Sequence, residues 1–400
     1  MRDKETNEPW WLRTRRQVQR WPGVVRGWLG RVGLFINVAL VLLLGLTVTA
    51  GITTVLWAGA GGGVAVIPAN TSVLDLLKLG LTVTAGIGGV VALVVAYRKQ
   101  RLNETAETRL DAAATREDTK LFNERFGAAA QMLASPEPAN QLAGIYALAG
   151  LADDWDNGRQ TCINVLCGYL RLPYTPPSDL TEESAPEQIQ HHTQQLAHRQ
   201  VRHALLDLIG ERLRTKPEPG RTWHGYTFDF AGATVDGGNL AGIQVIEGTR
   251  MNFETANFTS GEVSFYLARF AGGAMFFGGA KFTSGRVSFN DAEFANGQVS
   301  FSGAKFIGGH VDFSVAEFAG CQISFFDAEF TAGQVDFIGA EFAGGQISFG
   351  GAEFTGGHVD FRQAKFSGGD VDLGQVAAWR APPRFRDFPD GPPHGLHLPT

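Results

Sequence analysis

From Phe253 onward the sequence repeats with a period of 12. Ala recurs at Ala256, Ala268, Ala280, Ala292, Ala304, Ala316, Ala328, Ala340, Ala352 and Ala364. Phe follows two residues after each, at Phe258, Phe270, Phe282, Phe294, Phe306, Phe318, Phe330, Phe342, Phe354 and Phe366. A second pair, Val, Ile or Met followed two residues later by Phe, keeps the same period and adds Phe265, Phe277, Phe289, Phe301, Phe313, Phe325, Phe337, Phe349 and Phe361. Residues two apart in a strand share a face, so each unit reads as a small or branched residue inward, a polar one outward and a Phe inward. Gly pairs separate the units, where the chain must turn sharply. A single coil of this kind cannot bury its apolar side alone, so the pattern requires a solenoid whose coils stack on their neighbours.

Residues on the outer face suggest the length of one coil. Asp312, Asp336 and Asp360 alternate with Ser300, Ser324 and Ser348, and Thr259, Thr283, Thr331 and Thr355 alternate with Ala271, Ala295, Ala319 and Ala343; Ile307 and Ser367 break the rule. Alternation between successive copies is expected of a four-sided coil of about 24 residues, although duplication of a unit of that length leaves the same trace. A 12-residue coil would have to pack two Phe in a very narrow tube. The expected rod has a first coil of about 20 residues and about five more coils, roughly 29 Å at the strand spacing. The 19 Phe named above form its core. Asp312, Asp336 and Asp360 form a surface ladder in which like charges repel. His310 and His358 lie beside it, so a cation would fit, but a solvated ladder is the expectation. The nine-residue Gly-Asp repeat of calcium β-rolls is absent.

Just upstream the spacing is a plain five: Phe230, Val235, Leu240 and Val245, with Phe228, Ala233, Gly238 and Ile243 two residues before each. Residues 226–373 resemble the pentapeptide-repeat family, whose unit is Ala-Asp/Asn-Leu-x-x with the third residue buried. The resemblance implies a right-handed, four-sided β-helix with one unit per side. This chain departs from the family in using Phe for Leu and in adding two residues after every second unit. The segments AYRKQRLNE (96–104) and QLAGIYALAGLADDW (141–155) are, with the Phe-rich repeat, similar to a group of membrane-anchored pentapeptide-repeat proteins of high-GC Gram-positive bacteria. That group brings no assigned activity.

The N-terminal third has a different character. No charged side chain occurs from Val32 to Leu74. The runs 32–57 and 79–97 reach about 39 and 28 Å as helices, against a bilayer core of about 30 Å, which predicts a transmembrane hairpin. Residues 1–31 carry eight Lys/Arg, and Arg98, Lys99 and Arg101 follow the second run. The positive-inside rule then places both termini in the cytoplasm of a bacterial plasma-membrane protein. A signal peptide cleaved after Ala50 is the alternative, disfavoured by the long basic prefix. GLTVTAGI occurs at 45–52 and again at 80–87, and its small residues would allow close helix packing within the hairpin or in a homo-oligomer.

The expected organisation is a basic segment (1–31), a membrane hairpin (32–97), a stalk and helical domain (98–215) with a Pro-rich linker (173–186), the β-helix (223–375), and a capping tail (376–400) whose Trp379, Phe385 and Phe388 cover the last coil. Helices are expected at about 118–134, 139–153, 159–171 and 187–214. The second carries an apolar face of Leu142, Ile145, Tyr146, Ala149 and Ala152.

Chemistry-bearing motifs are sparse. Cys162 and Cys167 are not a C-x-x-C pair and should point in opposed directions on a helix. His191, His192, His198 and His203 share one helix without the i, i+4 spacing of metal ligands. No nucleophile, base or metal set converges, so neither catalysis nor a cofactor is expected. Three Cys exclude a disulfide scaffold. Net charge is −6, and between 250 and 373 there are 14 Asp/Glu against 7 Lys/Arg. This does not point to nucleic acid as a partner. Two functions follow: a non-catalytic scaffold that binds an unidentified protein at the membrane, or an acidic rod that mimics a DNA duplex and binds a topoisomerase.

Overall fold

The structure, a computed structural model, describes residues 73–178, 185–214, 222–389 and 391–400, residues 180 and 216, and scattered positions between 43 and 58. The chain divides into two compact units, Met1–Arg116 and Glu117–Thr400. Helix α1 spans Val73–Leu133. Among the described residues no helix is long and apolar enough to cross a membrane. The expected fold with two transmembrane helices is therefore corrected to a β-solenoid with a small helical region. Most of the run 32–57 lies outside the described residues. The run 79–97 is part of α1, where Gly80, Thr82, Thr84, Gly86, Gly88 and Gly89 dilute the apolar residues, and the helix continues unbroken into the charged stretch after Tyr97.

In the second unit the end of α1 is followed by α2 (Pro138–Asp154), a 3-10 turn (Asp156–Gly158), α3 (Arg159–Arg171) and α4 (Pro186–Arg214). Proline at the first position of α2 forfeits no helical hydrogen bond. The buried face of α2 is Gln141, Gly144, Ile145, Leu148, Ala149, Leu151 and Ala152. Tyr146, expected on that face, is 54% exposed. Gly144 explains the rotation. A Cβ there would come 2.5 Å from Leu133 N and 2.9 Å from Ala129 O, so α1 and α2 meet backbone to backbone along this line. Cys162 and Cys167 are both fully buried despite their opposed directions, because α3 packs against α2 and against the first strand of the solenoid.

The middle of the solenoid shows its plan. Strands Lys305–Phe306, His310–Asp312, Glu317–Phe318 and Gln322–Ser324 form four sides, and Glu329–Phe330 opens the next turn. Each strand pairs in parallel with its counterpart two repeat periods on: Phe306 with Phe330, Val311 with Val335, Phe318 with Phe342, Ile323 with Ile347. One turn therefore holds two copies of the repeat, as the alternation of outer residues predicts. One side is a stack of seven strands, so the rod has seven turns, more than the six expected. The first turn is longer than four plain five-residue units, with Phe228 beside Met251 and Val235 beside Phe258. The extra length is a tight turn at 247–249, closed by Thr249 N donating to Ile246 O. The last steps widen by a single position, with Phe354 beside Trp379 and Val371 beside Leu396.

Corners recur at every second unit as turns in which Phe253 O accepts from Ala256 N, Phe265 O from Ala268 N, and onward. The third residue of each turn needs positive φ, as in a type II turn. Gly279, Gly303, Gly339 and Gly351 supply it without strain, whereas Thr255, Leu267, Asp291, Val315, Asp327 and Gln363 adopt it at a cost.

Both ends of the stack are covered. At the start, Leu206 of α4 lies over Gly238, and Gly210 lets the helix approach Asn239 O so closely that a Cβ would lie 2.5 Å away. At the far end Phe385 stacks on Phe361 at 5.0 Å, Phe388 lies 6.1 Å from Phe385, and Trp379 meets Phe354 edge-on at 5.4 Å. Capping of both ends is what a repeat rod requires to stay monodisperse.

Candidate functional site

The 19 repeat phenylalanines line the interior as four ladders. One runs Phe265, Phe289, Phe313, Phe337, Phe361, with steps of 4.6–5.0 Å and rings within 6° of parallel. Phe270, Phe294, Phe318, Phe342 and Phe366 form the second, Phe258, Phe282, Phe306, Phe330 and Phe354 the third, and Phe277, Phe301, Phe325 and Phe349 the fourth. Rings of different ladders meet edge to face, as Phe301 and Phe313 do at 5.8 Å and 86°. All are at most 2% exposed except Phe366, which is half-buried near the C-terminal end. These ladders carry no polar group, so the chemistry lies on the outer faces and at the helical cap.

The Asp column departs most from expectation. Asp312, Asp336 and Asp360 are 3%, 5% and 5% exposed, so this is a buried ladder rather than a solvated one. Its charges are answered by diagonal donors from the preceding turn or by near neighbours. Arg286 bonds Asp312, and His310 Nε2 lies 2.9 Å from Asp336 Oδ2. Gln334 Nε2 donates to the same Asp336 oxygen at 2.7 Å, and Arg362 holds Asp360 through both carboxylate oxygens. Burial pushes the Asp312 carboxyl up, but bonds from Ser314 and Arg286 outweigh it and hold the group below the usual carboxylate range. Asp360 is likewise depressed, its burial outweighed by Arg362 and by the charge of Arg384. Sequence spacing located this column; it could not show that neighbouring long side chains fold over it.

A second polar cluster joins the helices to the first turn, and no motif pointed to it. Asp236 is 1% exposed. It accepts from Tyr174 Oη at 2.8 Å, lies 3.3 Å from both Arg199 Nε and His203 Nε2, and is held below its ordinary pKa: burial raises it, and the bonds from His203 and Tyr174 with the charge of Arg199 outweigh the burial. Beside it the buried Arg202 donates through Nη2 to Leu170 O and Thr234 O, and its guanidinium lies 4.3 Å over the Tyr174 ring. Arg159, 1% exposed, bonds Ala152 O, Asp156 and Thr222 O. Asp153 receives Trp223 Nε1 and a two-atom clamp from Arg212. The longest of these contacts span 59 to 70 residues of sequence and could be read only once the fold was in place. A cleft of about 390 Å³ opens next to Arg202, walled by Tyr169, Tyr174, His191, His198 and Gln141. Among the described residues no carboxylate lines it.

Fold and outer faces together define a parallel, four-sided β-solenoid repeat protein with a helical cap. No protein-family model matches the chain, and no curated protein is similar to it.

Proposed function

We propose that the chain is a non-catalytic interaction module in which the solenoid presents a rigid, periodic surface to a protein partner. The observation that carries this reading is the contrast between core and corners. From Phe258 to Phe361 the ring positions of the core repeat without variation, whereas Tyr266, Leu267, Val315 and Phe326 stand 43–57% exposed on the outside. Leu267 and Val315 combine that exposure with positive φ, at corners where glycine serves elsewhere in the rod. Bulky apolar residues kept where they are both strained and wet suggest contact with another molecule. We also assign the solenoid to the pentapeptide-repeat kind, on the plain five-residue spacing of Phe230, Val235, Leu240 and Val245. The duplex-mimic reading is set aside because Lys305–Glu329 at 2.6 Å, Arg269–Glu293 at 3.0 Å and Lys365–Glu341 at 3.7 Å neutralise the acidic columns it needs.

The test is a photo-crosslinking amino acid placed in living cells at Val315 or Phe326, with Ser302 as a control in the same corner column as Phe326. A discrete adduct from the apolar corners that disappears in Phe326→Ser, with an unchanged circular dichroism spectrum, supports the reading. Indiscriminate adducts at all three positions, or none at any, overturn it.

A further inference from the structure

We propose that His310, Asp312 and Asp336 form a binding site for a divalent first-row transition cation on one side of the solenoid. One ring nitrogen of His310 and one carboxylate oxygen from each aspartate lie within 4.8 Å of one another. The register places Asp312 directly beside Asp336, and His310, two residues before Asp312 on the same strand, faces the same way. Both carboxylates are more than nine-tenths buried.

An orphaned atom points to a ligand. Asp336 Oδ1 is buried and has no hydrogen-bond partner. In the neighbouring turns the equivalent oxygens are satisfied: Asp312 Oδ1 accepts from Ser314 N and Asp360 Oδ1 from Arg362 N, each at 2.9 Å. A buried carboxylate oxygen without a donor is costly, and a cation held through both oxygens of Asp336 would supply the missing interaction, since His310 and Gln334 contact only Oδ2. One imidazole and two carboxylates suit Zn²⁺ or Mn²⁺ better than Ca²⁺, which takes oxygen ligands alone.

Geometry permits closure. Metal–ligand bonds of about 2.1 Å in a tetrahedral site put donors about 3.4 Å apart, so the three atoms need to approach by at most about 1.4 Å. The competitor is Arg286, bonded to Asp312; its side chain is 45% exposed and can swing into solvent. Gln334, donating to Asp336, holds that carboxylate in place as an outer partner of a metal ligand does. Asp360, the next carboxylate in the column, is clamped by Arg362, which confines the site to one level of the rod.

The test is calorimetric titration of the full chain with ZnCl₂ at about pH 7.5, paired with the visible absorption of bound Co²⁺. The expected result is one saturable Zn²⁺ per chain. His310→Ala should weaken it by about tenfold or more, and Arg286→Gln should strengthen it by freeing Asp312. Each variant removes a partner of a buried carboxylate, so melts without metal should fall below the parent, and added Zn²⁺ should raise the melting temperature of the parent and of Arg286→Gln but not that of His310→Ala. Absence of saturable uptake, or an affinity unchanged in His310→Ala, overturns the proposal; the latter would mean that the zinc is held by other histidines.

Discussion

Replacing Phe318 by alanine tests whether ring stacking holds the rod together. Phe318 is 1% exposed and sits in the middle of its ladder, 4.8 Å from Phe294 and 4.9 Å from Phe342, with tilted contacts to Phe313 and Phe337 at 6.2 and 6.3 Å. Burying the side chain contributes about 1.5–3 kcal/mol. Two stacked pairs add about 0.5–1.5 kcal/mol each. The sum centres near ~4 kcal/mol and agrees with the range of about 3–5 kcal/mol for Phe→Ala in cores. Because each turn touches only its neighbours, an interior cavity weakens two inter-turn contacts at once. Half-buried Phe366 stacks on a single Phe, Phe342 at 5.1 Å, and its truncation should cost less than half as much. Urea unfolding followed by circular dichroism measures both variants, and limited proteolysis around residues 294–342 reports local opening. A loss for Phe318→Ala below about 1 kcal/mol, or equal to that for Phe366→Ala, would refute the stacking account.

The corners and buried groups give further expectations. Gly345 has φ +75°, and a Cβ there would lie 2.3 Å from Cys321 O, so Gly345→Ala should cost more than about 2 kcal/mol. Gly303, at φ +65° with its nearest atom 4.0 Å away, should lose only about 1 kcal/mol on the same change; urea midpoints compare the two. Val315→Gly should stabilise by about 0.5 kcal/mol, because relief of left-handed strain at φ 61° exceeds the entropy cost of glycine; an unchanged or lower urea midpoint would count against strain there. His224 is kept neutral by burial, with Nε2 near Leu213 O and Nδ1 near Thr222 Oγ1, and its pKa is lowered. The unfolded chain then binds more protons, so stability should fall as pH drops through about 6.5, and His224→Gln should flatten that slope in denaturation midpoints. Burial pushes the Cys162 thiol up to about 11 and those of Cys167 and Cys321 to about 12, so a thiol reagent at about pH 8 should label none in the native protein and all three in urea.

The rod is legible in the sequence because its information is local and repeated. Ala304, Phe306, Val311 and Phe313 fix side and spacing within one coil, and alternation of Asp312 with Ser300 and Ser324 carries the coil length. The first turn escapes the pattern because Thr249 closes a tight turn that breaks the five-residue rhythm without leaving a trace in it. The helical face of α2 is displaced for a similar reason: Gly144 reads as a weak helix residue, yet its lack of a side chain sets which face docks. The site at Asp236 is invisible in sequence because its partners, Tyr174, Arg199 and His203, come from a loop and a helix that the fold brings together from some 33 to 62 residues away. The burial of the Asp column does not follow from strand alternation, which gives direction alone. An outward-pointing side chain is still covered when Arg286, His310 and Arg362 reach across it.

Stacking in register makes each outer position a column in which like meets like once per turn. A column of glutamates or aspartates is unstable unless something breaks its symmetry, and this chain does so with single substitutions: Lys305 beside Glu329, Arg269 beside Glu293, Lys365 beside Glu341. Neutral repetition would suffice for the fold, and the interior provides it. The departures from repetition on the outside then divide into two kinds. Those that pair charges answer the column's own electrostatics. Those that add strain or leave a group unsatisfied, Val315, Leu267 and the unpartnered oxygen of Asp336, answer nothing within the chain, and they are therefore where contact with another species is to be sought.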